Sequence, residues 1–110
     1  MIAFSPGELV VVQFPFTSGH QAKPRPAMVR LDTGDQDIVV ARMTSKRKTT
    51  PFDIEVVNWQ AAGLRSSPSI IRLHKLITID KKQVHFRLGQ LDPADRQNVA
   101  AVLALLFAHW

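Results

Sequence analysis

The sequence predicts a mainly β protein, a small, strongly bent sheet or SH3-like barrel with one α-helix at its C-terminal end. Three observations carry that expectation. The first two thirds are short apolar runs punctuated by Gly, Pro, Asn and Asp. Several of those runs alternate apolar and polar residues with the period of a strand. Only the last stretch, from Asp92 onward, combines a helix start signal with a long apolar segment. The chain has 110 residues without repeats, linkers or low-complexity tracts, which suits a single domain, 1–110, with one modest core.

Leu9 to Phe14 is a nearly continuous Val-rich run ending at Pro15, the pattern of a buried strand. Thr17 to Pro24 is polar, contains Gly19 and Pro24, and reads as a loop. Ala27 to Leu31 and Asp37 to Met43 follow as strands, joined by a turn at Thr33-Gly34-Asp35. Phe52 to Val56 alternates cleanly, with Phe52, Ile54 and Val56 on one face and the carboxylates of Asp53 and Glu55 on the other. Trp59 to Leu64 reads as one helical turn closed by Gly63. Ser69 to Leu73 and Lys75 to Ile79 are β-like, and Asp80-Lys81-Lys82 forms a turn. In Val84 to Leu88 the alternation turns Val84, Phe86 and Leu88 inward and His85 and Arg87 outward.

In the terminal helix Asp92 is the expected cap, Pro93 fits the first helical position, and Asp95 suits the positive end of the dipole. From Val99 onward the helix is apolar on every side. Such a helix buries more than one face, so a second subunit or a partner is expected on the side the sheet does not cover.

Composition narrows the function. Fourteen Lys and Arg against nine Asp and Glu leave a charge of +5, which favours a polyanion such as nucleic acid or an acidic protein segment. The absence of cysteine excludes disulfides, zinc-thiolate sites and cysteine nucleophiles. Four His without paired spacing and singly scattered carboxylates argue against a metal site. Met1 to Gly7 lacks the pattern of a secretory signal, and the apolar run Val99 to Ala108 is too short to span a bilayer. A cytoplasmic location is expected.

Several stretches, in order, resemble the MazF/PemK family of toxin–antitoxin ribonucleases. Gly7-Glu8-Leu9-Val10-Val11-Val12 with Phe14-Pro15-Phe16 resembles the opening strand. Lys23-Pro24-Arg25-Pro26-Ala27-Met28-Val29 is similar to the family's basic-x-Arg-Pro-Ala-x-Val motif, and Met43-Thr44-Ser45-Lys46 to the end of its third strand. Trp59 with Ala62-Gly63-Leu64, Pro68 to Arg72, Lys75 to Asp80, and Gly89-Gln90-Leu91 extend the likeness over roughly residues 7 to 106. The resemblance implies a MazF/CcdB/Kid-like barrel that forms a homodimer and cuts single-stranded RNA without a metal or other cofactor. It implies products with a 2′,3′-cyclic phosphate and a 5′-hydroxyl. It also implies neutralisation by a cognate antitoxin whose acidic, partly disordered segment fills the RNA groove.

That chemistry needs a group to stabilise charge on the phosphoryl oxygens, a base for the 2′ proton and an acid for the leaving oxygen. Arg25, a permanently charged fork held between Pro24 and Pro26, suits the first task, and Thr44 adds a hydroxyl donor. Outside the family pattern both residues read as ordinary surface positions. The matching position for an acidic proton-transfer residue in some members is His74 here, so His74 is the catalytic candidate beside Arg25 and Thr44. His20, Lys23, Ser45, Lys46, Arg72 and Arg87 are the candidate substrate-binding residues. The loop Lys46-Arg47-Lys48 suits the RNA backbone, Phe16 and Trp59 suit base stacking, and His109 is assigned no role. Two rival readings keep the barrel but drop the catalysis. One is a CcdB-like gyrase poison acting through the C-terminal Phe107-Ala108-His109-Trp110; the other is a passive RNA- or antitoxin-binding module.

Overall fold

The computed structural model describes residues 2–13 and 23–110. Phe14, Phe16, His20 and most of the expected loop from Thr17 lie outside the described residues. Six strands, β1 (Glu8–Val12), β2 (Arg25–Leu31), β3 (Asp37–Thr44), β4 (Asp53–Glu55), β5 (Ile70–Asp80) and β6 (Val84–Gln90), are followed by α1 (Pro93–Phe107). They form one antiparallel sheet in the order β4-β5-β3-β2-β1-β6. The sheet bends as expected of a small barrel, but it is not closed: among the described residues β4 and β6 remain its two edges.

Both faces of the sheet bury apolar side chains. Val10, Val12, Ala27, Val29, Ile38, Val40 and Ile79 pack with Phe4 on one face. Leu9, Met28, Ala41, Met43, Ile71 and Leu73 pack on the other side, where Val99 of α1 covers them. This two-sided burial explains why Leu9–Val12, the described part of the run Leu9 to Phe14, reads as continuously apolar rather than alternating.

The segments expected as two strands, Ser69 to Leu73 and Lys75 to Ile79, form the single long strand β5. The discontinuity is nevertheless real. Ala41 of β3 faces Leu76, whereas the next residue, Arg42, faces Arg72, so Leu73, His74 and Lys75 bulge out of register. The bulge bends β5 and sets His74 apart from the regular ladder. Phe86 differs from its expected inward orientation and is 51% exposed. β6 is an edge strand that slips register twice against β1, and a slip of one residue reverses which face a side chain meets. Val84 and Leu88 remain packed against the two cores.

The segment around Trp59 is a series of turns rather than a regular helix. Gly63 closes it at φ +86°, and a Cβ there would collide with the Leu88 carbonyl. Asp95 carries more than dipole complementarity: buried in the first turn of α1, it accepts N–H bonds from Val57 and Asn58, both at 3.0 Å. The Asp92 cap accepts from the Asp95 N–H at 2.8 Å. Together the two carboxylates lock the start of the helix to the β4–β5 connection.

Candidate functional site

The first site element is a consequence of strand register. Ala27 of β2 faces Arg42 of β3, and counting on two residues in each antiparallel strand brings Arg25 alongside Thr44. Side chains two residues apart share a face, so Arg25, Thr44 and Arg42 project together from the face that carries Ala27, Val29 and Val40. Arg42 faces Arg72 of β5, and Arg72 in turn faces Asp53 of β4. Three arginines from three strands therefore share one end of one face. Arg25 and Arg42 are exposed there, and β5 lies two strands from β2, roughly 10 Å at ordinary strand spacing.

Thr44 ends β3. Its Oγ1 accepts the Lys46 N–H at 3.1 Å, which leaves the hydroxyl proton to be donated outward. Ser45 and Lys46 follow on the exposed turn, and Lys23 is exposed two residues before Arg25. The adjoining Arg47 pairs with Glu55 at 2.6 Å. These candidates, Lys23, Arg25, Thr44, Ser45 and Lys46, form one corner of the molecule.

Arg72 and His74 form the second part of the site. Arg72 donates Nε–H to Asp53 Oδ1 at 2.8 Å, and its Nη2 lies 3.5 Å from Asp53 Oδ2. The same Nη2 lies 3.4 Å from His74 Nε2. Arginine only donates, so this contact makes Nε2 the acceptor and puts the imidazole proton on Nδ1. That Nδ1 is buried without a hydrogen-bond partner among the described residues. Phe52 packs beside the imidazole at 5.7 Å, and His109, assigned no role from sequence, meets the far edge of Phe52 at 5.5 Å.

Arg87 is not brought to this end. Its guanidinium sits 3.2 Å from Glu8 Oε2, donates to the Ala3 carbonyl at 2.5 Å and covers the Phe4 ring at 4.4 Å. Glu8 begins β1, whereas Arg25 faces Val12 at its end, roughly 13 Å away along the strand. His85 bonds Gln13 across the β1–β6 edge at 3.0 Å.

A model of the PemK-like, MazF-like toxins of type II toxin–antitoxin systems matches residues 5–107. The chain belongs to this family. Among curated protein sequences none matches it. Solved structures of the same fold include an endoribonuclease in complex with its cognate antitoxin from a Mycobacterial species, 17% identical with a TM-score of 0.73 over 96% of each chain. They also include MazF from Deinococcus radiodurans, 18% identical with a TM-score of 0.72 over 98% of this chain and 99% of that one. A third, the Mycobacterium tuberculosis toxin MazF-mt6, is 18% identical with a TM-score of 0.69 over 92% and 96%.

Two residues of this toxin's site escaped the sequence reading. Arg42 sits in an ordinary strand, and only the ladder shows that it faces Arg72. Asp53 alternates with apolar residues as a solvated carboxylate does, yet its side chain is only 1% exposed. Burial pushes its pKa up, but hydrogen bonds from Arg72 and Thr50 and the nearby Arg72 charge outweigh that and hold it below the usual carboxylate range. Among the described residues no three His, Asp or Glu side chains gather as a metal site, and no helix is long and apolar enough to cross a membrane.

Proposed function

We propose that the chain is the toxin of a type II toxin–antitoxin pair and acts as an endoribonuclease on single-stranded RNA in the cytoplasm. The observation that carries the reading is the direct opposition of Arg42 and Arg72, with Arg25 beside Thr44 one step along the same face. Arginines from three neighbouring strands on one face suit a polyanion laid across them, and an extended RNA backbone supplies one negative charge per nucleotide.

In this reading the 2′-oxygen attacks the adjacent phosphorus in line and the 5′-oxygen departs, giving a 2′,3′-cyclic phosphate and a 5′-hydroxyl. Arg25 grips two phosphoryl oxygens as negative charge builds on them, and the Thr44 hydroxyl donates to the same oxygens. His74 moves the proton: Nε2 takes it from the 2′-hydroxyl in exchange for the 3.4 Å Arg72 contact, and the departing 5′-oxygen receives one in turn from the imidazolium or from water. Arg72, Lys23, Ser45 and Lys46 hold neighbouring phosphates. No step requires a metal ion, because Arg25 carries the positive charge a metal would otherwise supply.

The same reading gives α1 its partners. Val99, Val102 and Leu103 face the core, while Leu105, Phe107 and Trp110 are exposed. A cleft of about 570 Å³ lies between α1 and β2, lined by apolar residues such as Met28, Leu91 and Leu103 together with Arg30 and Arg96. An apolar surface of this kind suits a homodimer, and its two arginines suit an acidic antitoxin segment. An endoribonuclease of this fold is known in complex with its cognate antitoxin.

The test is direct. Antitoxin-free protein is incubated with a long single-stranded RNA in the presence of a chelator, and the fragment ends are mapped. Discrete cuts ending in 2′,3′-cyclic phosphates are expected. Intact RNA from folded protein across several substrates would sink the nuclease reading and leave a binding module or a protein-directed poison.

A further inference from the structure

We infer that Asp53 is a positioning residue for RNA binding, a buried carboxylate that aims one edge of the Arg72 guanidinium at a backbone phosphate. The inference rests on the RNA-directed reading of this face and adds to it a residue on the edge strand β4.

The argument is an inventory of donors. A guanidinium has five N–H groups. In Arg72 the Nε–H goes to Asp53 Oδ1, and Nη2 serves Asp53 Oδ2 and His74 Nε2. Asp53 thereby engages the edge formed by Nε and Nη2, and the second Nη2 hydrogen meets His74. Both N–H groups of Nη1 are left without a partner among the described residues, on a side chain 21% exposed. A planar group fixed along one edge has no freedom to rotate the other, so Nη1 is held in one orientation on the sheet face that Arg72 shares with Arg42.

Asp53 is itself fixed. The Thr50 hydroxyl donates to its Oδ2 at 2.6 Å, and the Asp53 N–H bonds the Thr50 carbonyl at 3.2 Å. A carboxylate serving only β4 stability would be expected to consume its cation. This one occupies a single edge of it and leaves Nη1 unbonded among the described residues.

The sign of the charge change separates this role from a passive one. Asp53→Asn keeps the shape but removes a negative charge from a basic face. If Asp53 merely tempers the local field, the variant binds RNA more tightly. If it positions Arg72, the variant binds more weakly although the protein has become more positive. The probe is a mixed-sequence, fully 2′-O-methylated single-stranded RNA, which lacks the attacking hydroxyl and stays intact.

We expect Asp53→Asn to weaken binding about tenfold. The slope of log affinity against log salt should shrink by about 0.7, the value of one lost phosphate contact on a single strand. Asp53→Glu, which restores the charge on a longer arm, should fall between the two. Unchanged or tighter binding by folded Asp53→Asn would overturn the assignment. Should that variant not fold, the wild-type protein decides: the Arg72 Nε–H resonance should exchange slowly with water, and rapid exchange overturns the assignment. Wild-type protein that binds the probe but cuts no RNA removes the nuclease reading alone. Wild-type protein that does not bind the probe overturns both.

Discussion

Two buried ion pairs divide this molecule into a closed region and an open one. At the closed end Asp32 accepts the Phe4 and Gly34 N–H groups, each at 2.8 Å, and pairs with Lys81 Nζ at 3.1 Å. Lys81 Nζ then donates to the Ile2 carbonyl at 2.7 Å. Both side chains are almost wholly buried, and their bonds tie the N-terminal segment, the β2–β3 turn and the turn before β6 into one knot. At the other end Asp53 satisfies only one edge of Arg72, beside two further arginines. Both are carboxylate–cation pairs of similar length. The first closes on the protein itself, whereas the second keeps donors in hand for something outside it. A buried pair becomes informative about function through what it leaves unbonded.

The strongest break in this comparison comes from Arg25→Ala. Cleavage should fall about a thousandfold, the scale for losing a principal stabiliser of transition-state charge, while the thermal midpoint stays within experimental scatter. Normal cutting by a folded variant would remove Arg25 from the mechanism. His74→Ala should lower the cleavage rate at saturating RNA about a hundredfold. A normal saturated rate with weaker RNA affinity would instead make His74 a binding residue.

The closed end should respond in the opposite currency. Asp32→Ala leaves Lys81 buried without its carboxylate, and should lower the thermal midpoint by several degrees without changing cleavage per folded molecule. Its acid response carries a definite sign. The Phe4 and Gly34 N–H bonds and the Lys81 charge, opposed by burial, hold the Asp32 pKa below the ordinary aspartate value of 3.8. The unfolded chain therefore binds the proton first as pH falls, so the Asp32 contribution is complete above that value and is lost below it. Urea midpoints at about pH 4.5 and pH 2.5 should converge in Asp32→Asn relative to wild type. A steeper loss in the variant would contradict the sign. Least affected should be Arg47→Ala, whose exposed pair with Glu55 contributes no more than about 0.5 kcal/mol. A larger drop in a denaturation curve would show that the pair is part of a network.

Much of the fold was legible in the sequence because local rules govern it. Turn residues at Gly34 and Gly63, the Asp92-Pro93 helix start and the apolar runs each act over a few neighbours. The likeness of Lys23–Val29 and Met43–Lys46 to known motifs also makes Arg25 and Thr44 legible in the sequence. Arg87 was read as part of the same basic surface, but Glu8, Ala3 and Phe4 hold it at the other end of β1. The inward orientation of Phe86 failed for a related reason, since alternation holds only while the register does. The break at His74 was visible, yet it marks a bulge inside β5 rather than the end of a strand.

By itself, the sequence determined the β character, the terminal helix and the family, because periodicity, capping and motif order are properties of adjacent residues. Only the tertiary structure decided that Arg42 opposes Arg72, that Asp53 lies buried beneath it, and that the sheet stays open. Those facts depend on which residues meet across strands distant in the chain. Asp53 and Arg72 are 19 residues apart, and ladder register rather than local propensity sets whether a carboxylate meets water or a guanidinium.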